Sequence, residues 1–360
     1  MESLKSIVKN IFIFILLIVI TFVIVFKSYD FNETIKVVLN ANYVYVLLAF
    51  LCMISYFIFE GINNKIILAS LGKKIKLLSS IKYSLIGFFF SGITPAATGG
   101  QPMQIYYMSK DNIKVEHSTL SLMVQLSSFQ IVTILMGFLG AFVNRELFTN
   151  GFIWLFLIGT FIKLIGLSIM IIGLFYSKFS KKIVSLIIKI LEKLKYSKIE
   201  EKKKQFNELI DSYNKDAKYI KSHRSIMVKS ICMVFLQFLV YYTISYFVYK
   251  SFGLCQFGWI KLVMLQALLY VTVSSLPLPG SIGVSEGGFL RIYSIIYGST
   301  MLGSAMILNR VINFYLFMLI AAIVIIVTTI INSKRKITEK NKQWYSNHCF
   351  LVYLLIVKML

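Results

Sequence analysis

Glu286, Arg291, Arg310 and Asn313 are ionisable or strongly polar residues set in stretches that are otherwise apolar. A carboxylate at membrane depth is costly unless it is paired, so Glu286 calls for a partner: Arg291, Arg310 or a cationic ligand group. Arg310 and Asn313 share a helical face, as a spacing of three requires. Glu286 belongs to the run Pro277-Leu278-Pro279-Gly280-Ser281-Ile282-Gly283-Val284-Ser285-Glu286-Gly287-Gly288. There Pro277 and Pro279 stop an incoming helix, Gly280 and Gly283 permit positive φ and close approach, and Ser285 is the expected N-cap of the next helix. Such an end turns free amides inward and favours an anion, for which a lipid phosphate is the candidate. Two readings stay open: an internal Glu286–Arg310 pair that locks two helices, or contact of these groups with a ligand.

A second run, Thr94-Pro95-Ala96-Ala97-Thr98-Gly99-Gly100-Gln101-Pro102, holds the other two of the chain's four prolines. Thr94, Thr98 and Gln101 offer neutral donors, Gly99 and Gly100 allow backbone approach to a headgroup or to the opposing break, and Tyr106 and Tyr107 follow. Packing alone is the competing role for the glycines. Lys163 lies near the centre of an apolar run, where an ammonium costs about 2.5 to 3.5 kcal/mol on the lenient insertion scale, so it is expected to face the protein interior. Gln125, Gln130, Gln237 and Gln266 read as interhelical hydrogen-bonding groups. The chain has no Gly-x-Ser-x-Gly, no Walker Gly-Lys-Ser/Thr and no His-Glu-x-x-His, and neither its three histidines nor its four cysteines have metal-like spacing. No cofactor and no metal are expected.

These groups must be positioned by membrane helices. The 360 residues are 58% hydrophobic and 15% charged, with repeated apolar runs near the roughly 20 residues that cross a bilayer. The formal charge of +23 gathers between those runs, which points to the positive-inside rule and anionic lipid rather than nucleic acid. The expected fold is an all-α polytopic membrane protein with about six full spans, 11–26, 43–59, 117–143, 151–176, 226–249 and 303–331, plus two broken re-entrant elements at the proline runs. Lys5 and Lys9 place the N-terminus in the cytoplasm, the lysines at 65, 73, 74, 76 and 82 place the loop after the second span there, and Lys334-Arg335-Lys336 does the same for the C-terminus. The first break then enters from the cytoplasm and the second from outside, as in transporters built of inverted halves. Segment 177–225 carries fourteen Lys or Arg against six Asp or Glu. Its stripe of Phe206, Leu209, Ile210 and Tyr213 reads either as a surface helix facing anionic lipid or as a solvated hairpin between halves. The organisation is one membrane domain over 1–336 and a short tail over 337–360, whose nine-residue apolar stretch 349–357 cannot span.

Across roughly residues 5–336, and most specifically at the two proline runs continued to Tyr107 and Phe289, the sequence resembles the flippase-like transmembrane domain of the lysylphosphatidylglycerol synthase (multiple peptide resistance factor) family. The resemblance implies a protein of the bacterial cell membrane. In full-length members a cytosolic acyltransferase domain moves lysine from lysyl-tRNA to phosphatidylglycerol, and the membrane domain carries the product to the outer leaflet, giving resistance to cationic antimicrobial peptides. Here only 24 residues follow Lys336, Gln125-Leu126 stands where many members have an acidic-basic pair, and Ser281 replaces a common second glycine. The function expected is translocation or binding of aminoacylated phosphatidylglycerol-type lipid. Arg310 and the amides near Pro279, Gly280, Gly283 and Ser285 would hold phosphate, and Glu286 an aminoacyl ammonium. The alternatives are phosphatidylglycerol lysyltransferase activity, with lysyl-tRNA as the one nucleic acid partner, and a non-transporting partner of a separate synthase or envelope enzyme.

Overall fold

The computed structural model describes residues 31–147, 152–176, 199–274 and 278–338, with the single positions 16 and 185. Apart from positions 16 and 185, the expected first span and residues 183–194 of the basic segment lie outside the described residues, as do Pro277 and the tail beyond Thr338. Every regular element described is helical: α1 (Phe31–Leu39), α2 (Tyr43–Ser70), α3 (Leu77–Gly92), α4 (Gly100–Lys110), α5 (Val115–Val143), α6 (Phe152–Phe175), α7 (Ile199–Ser222), α8 (Arg224–Ser251), α9 (Trp259–Val273), α10 (Val284–Tyr293), α11 (Ser299–Arg310) and α12 (Leu316–Thr338). A five-residue π turn, Val311–Tyr315, joins α11 to α12.

Among the described residues five helices are long and apolar enough to cross a membrane: α2, α5, α6, α8 and the α11–α12 composite. Helices α3 and α9, of 16 and 15 residues, are apolar but span only about 24 and 22 Å at 1.5 Å per residue, short of a hydrocarbon core of about 30 Å. The chain is a polytopic helical membrane protein. Its outer surface shows what lipid selects, since Trp154, Phe161, Leu319 and Ile323 are exposed, whereas Met53, Leu268, Val271 and Ala305 are sealed inside.

Helix α2 opens at Asn42, whose side chain caps Val44 N and whose backbone N–H donates to Ser251 O at 2.8 Å, so α2 begins where α8 ends. It runs to Ser70 at the lysine-rich face. From there α3 goes inward, a 3-10 turn (Pro95–Ala97) reverses the chain, and α4 returns. Lys82 Nζ and Tyr83 Oη both reach Asp111 Oδ2 at 2.6 Å, which ties the start of α3 to the end of α4. The first break therefore enters and leaves on the lysine-rich face.

The second break does the reverse. Helix α9 begins beside Tyr249, at the far end of α8, where the Tyr249 hydroxyl accepts from Phe257 N and its ring lies 5.8 Å from that of Tyr297. Tyr297 follows α10, so α9 enters and α10 leaves on the Ser251 face. Two 3-10 turns, Pro95–Ala97 and Pro279–Ser281, form the tips of these opposed hairpins, and they pack against each other.

Helix α7 sits across the lysine-rich end. Its Ile210, Tyr213, Ala217 and Ile220 join Ile67, Leu120 and Leu174 in one apolar cluster. His117 Nδ1 to Asp216 Oδ2 at 2.8 Å and the Tyr213 hydroxyl to Gly173 O at 3.1 Å fix the helix in place. The sequence reading turned Ile210 and Tyr213 toward lipid or solvent. The structure turns them inward, because the ends of α2, α5 and α6 leave an apolar surface that this stripe covers.

Candidate functional site

The two breaks share one local design. In each, a proline opens a 3-10 turn, two successive residues take positive φ (Ala96 52° and Ala97 57°; Gly280 57° and Ser281 52°), and a glycine starts the outgoing helix. Pro supplies the fixed φ the turn needs and removes a donor that would otherwise be orphaned. Left-handed backbone costs an L residue roughly 1–2 kcal/mol, so three of these four positions are strained.

Backbone groups freed by the breaks find partners inside the protein, as hydrocarbon surroundings demand. In the first break Thr94 Oγ1 donates to Phe90 O at 2.6 Å and accepts from Gly99 N at 2.9 Å. Gly100 brings α4 against α3 so closely that a Cβ there would lie 2.8 Å from Gly87 O. In the second break the N-cap is Gly283 and not Ser285, because the chain passes through φ 85° at Gly283, which only glycine adopts without strain. Glu286, third residue of α10, reaches back to the cap position instead, its Oε2 accepting from Gly283 N at 2.7 Å.

Glu286 Oε1 meanwhile accepts from Arg310 Nε at 2.7 Å and from the Tyr315 hydroxyl at 3.2 Å. Arg310 Nη2 donates to Gly280 O at 2.7 Å, and the guanidinium lies 4.3 Å from the Phe314 ring centre. The pair is deeply buried, with side chains 11% and 3% exposed for Arg310 and Glu286. One guanidinium thus closes the second turn and neutralises the acid that caps α10. The π turn directly after Arg310 widens the helix where Asn313 and Phe314 project toward the same region.

A cavity of about 210 Å³ opens at this ion pair. Gly280, Ser285, Glu286, Arg310 and Asn313 line it, together with Asn309, Gln266, Tyr241 and Tyr270. Asn313 Nδ2 donates to Asn309 Oδ1 at 2.6 Å, which leaves Asn309 Nδ2 and Asn313 Oδ1 buried without partners, as is Ser274 Oγ. Buried amides are normally satisfied, so these atoms mark a place where a ligand or water completes the hydrogen bonding. Pro95, Ala96 and Ala97 remain exposed beside the cavity, and Ala97 lines it.

Other residues singled out from the sequence lie elsewhere. Thr98 bonds Pro95 O, Gln101 stands in the first turn of α4, and Tyr106 faces the Lys110 ammonium at 4.1 Å at the far end of that helix. Thr94, Gly99 and Gly100 serve the junction of α3 with α4, Pro279 is buried within its turn, and Arg291 is exposed in the last turn of α10. Lys163 does face the interior, 5.4 and 5.3 Å from the ring centres of Phe129 and Tyr270. Glu60 falls one residue past the span expected over 43–59, inside α2, which continues to Ser70. The signal for it is the buried stripe Met53, Phe57, Gly61, Asn64 and Ile67, which keeps helical spacing through the polar residues. Outside the spans, a hydrogen bond from Lys261 holds the Glu146 carboxyl below its usual range and ties the loop after α5 to the start of α9. No group of three or more His, Cys, Asp or Glu side chains able to hold a metal occurs among the described residues.

The sequence model for the lysylphosphatidylglycerol synthase TM region matches residues 10–321. The chain is similar to a UPF0104 membrane protein of Archaeoglobus fulgidus, 25% identical over an alignment of 303 residues that covers 81% of this chain and 89% of the relative. It is also similar to a UPF0104 membrane protein of Methanocaldococcus jannaschii, 26% identical over 235 residues, 63% of this chain and 67% of the relative.

Proposed function

This chain belongs to the lysylphosphatidylglycerol synthase transmembrane-region family, and we propose that it binds the headgroup of an aminoacylated phosphatidylglycerol-type lipid and carries it across the membrane. The observation that supports this most is the Glu286–Arg310 pair beside the unpartnered Asn309 Nδ2 and Asn313 Oδ1, at the meeting point of two breaks entered from opposite faces. A phosphate takes donors from Arg310 and Asn309; an aminoacyl ammonium gives its protons to Glu286 and Asn313. A site with groups of both signs suits a headgroup that carries both. The cavity, about 210 Å³, takes the charged part of a headgroup while the acyl chains stay in lipid.

The lysine-rich face belongs in the cytoplasm on the positive-inside rule, so the first hairpin serves the inner leaflet and the second the outer. Export of a cationic lipid would lower the negative charge of the cell surface, the physical basis of resistance to cationic antimicrobial peptides. The test is a proteoliposome assay in which labelled lipids with different headgroups are followed between leaflets. The wild type is expected to move lysylphosphatidylglycerol faster than protein-free vesicles do. Glu286→Gln and Arg310→Gln are each expected to slow it about tenfold or more, the loss of one charge-assisted contact. Equal rates with and without protein, for every headgroup, would overturn the reading.

A further inference from the structure

Glu60 forms a second buried acidic site, separate from the Glu286–Arg310 pair. It lies ten residues from the Ser70 end of α2 and seventeen from Tyr43, about 15 and 26 Å at 1.5 Å per residue, and so well inside the membrane. Gln237 Nε2 on α8 donates to its Oε2 at 3.2 Å, and the polar side chains of Ser84 on α3 and Gln125 on α5 stand near it. These three neighbours are 2%, 2% and 9% exposed. Glu60 itself is half-buried, and its hydrogen-bonding partner Gln237 is sealed inside the bundle.

Unlike Glu286, this carboxyl has no cationic partner: the ion pairs among the described residues all use other acids. The titratable groups facing it are Tyr56 on its own helix and Tyr270 on α9, with Tyr241 of α8 packed against both rings, while α3 and α5 present the neutral Ser84 and Gln125. The π turn contributes Tyr315, whose hydroxyl is given to Glu286. Two cations stand further off: Lys163 behind the Tyr270 ring, and Arg310, already committed to Glu286 and Gly280. Beside the acid, Gln125 Oε1 and both polar atoms of Asn63 are buried without partners. An ionised carboxylate among neutral groups in a low-dielectric interior is costly, and taking up a proton relieves that cost.

We propose that Glu60 is a proton-binding site, taking one proton from water onto its carboxylate and releasing it again, and that its occupancy is coupled to the headgroup cavity through Tyr241 and Tyr270. Both rings line that cavity and meet edge to face with centres 5.9 Å apart, and Tyr56, one turn before Glu60, lies 5.4 Å from Tyr241. Movement of the headgroup thereby draws on the proton gradient. The coupling rests on the lipid reading above; the proton site does not.

Infrared difference spectra of the protein in phosphatidylglycerol nanodiscs, between mildly acidic and mildly alkaline buffer, test the site directly. A protonated-carboxyl band is expected in the wild type, kept in Glu286→Gln, displaced in Glu60→Asp and lost in Glu60→Gln, whose amide can still bond Gln237. A band indifferent to Glu60→Gln overturns the proposal, as does a carboxylate signal that follows sodium at constant pH. In the proteoliposome assay the wild-type rate should change by up to about tenfold per pH unit where proton occupancy is limiting, while Glu60→Gln gives a flat profile at a measurable rate. An unchanged profile in Glu60→Gln overturns the coupling. Loss of lipid movement in every variant, with the band still assigned to Glu60, would sink the lipid reading and leave the proton site standing.

Discussion

At the scale of single residues, the strongest dependence is that of Glu286 on Arg310. Removing one member of a buried pair leaves the other charge unpaired at a cost of about 3–5 kcal/mol, while replacing both by neutral groups of similar size is far cheaper. Arg310→Met should therefore unfold in detergent well before the wild type, and Glu286→Gln combined with Arg310→Met should regain much of the loss. A double variant that falls by the sum of the two single losses would show that the residues act separately. How much of this was readable from sequence depended on contrast. Lys163 is an ionic residue in an apolar run, so the cost of burying it pointed to an inward orientation, which it has, and Arg310 was readable as a candidate partner for Glu286. Glu60 has no such contrast, because Asn63, Asn64 and Lys65 follow it and hydropathy falls as it does at a span end. The helix continues because Gly61, Asn64 and Ile67 keep packing on their neighbours, a tertiary fact that composition does not carry.

At the scale of elements, the two breaks were marked by proline and glycine, since these residues have few other uses inside an apolar segment. The capping of α10 was not legible: Ser285 is a good cap by residue type, but the chain reaches the helix through φ 85° at Gly283, and Glu286 does the capping. Strain in the tips makes a testable difference. Ser281 holds φ 52°, a backbone region that favours glycine, so Ser281→Gly is expected to stabilise the folded protein by about 1 kcal/mol, the smaller end of the left-handed penalty. A lower thermal midpoint for Ser281→Gly than for the wild type would contradict this and give the serine side chain a positive role. The same reasoning explains why α7 was half-read. Its apolar stripe was visible as a period, but whether lipid, water or protein covers such a stripe depends on what the ends of α2, α5 and α6 leave open.

At the scale of the whole molecule, opposed entry of the two hairpins follows from three ties: Lys82 to Asp111 on one face, and Asn42 to Ser251 and Tyr249 to Phe257 on the other. The loop charges had already suggested this opposition, because α2 and α8 are long enough to fix which ends share a side. It predicts reagent access. Cys255 is exposed on the Ser251 face, whereas Cys52 and Cys232 lie within the long helices α2 and α8. With Cys349 replaced by serine, a membrane-impermeant maleimide should label Cys255 in intact cells, and a cysteine placed at Lys73 only after lysis. Labelling of Lys73→Cys in intact cells would reverse the orientation.

The hydrogen bond from Arg310 to Gly280 has a further consequence. Arg310 is at once counter-ion to the cap of α10 and clasp on the second tip, and the first tip leans on the second. A visiting molecule that draws Arg310 away must also quiet the acid it abandons. A bare anion strands Glu286, a bare cation strands Arg310, and each stranded charge taxes the intruder by more than its own contact returns. Only a visitor bearing both charges can trade places with the pair without debt, and the trade itself loosens the clasp between the two tips. Selection and opening would then be one event, with discrimination set by what a molecule leaves behind.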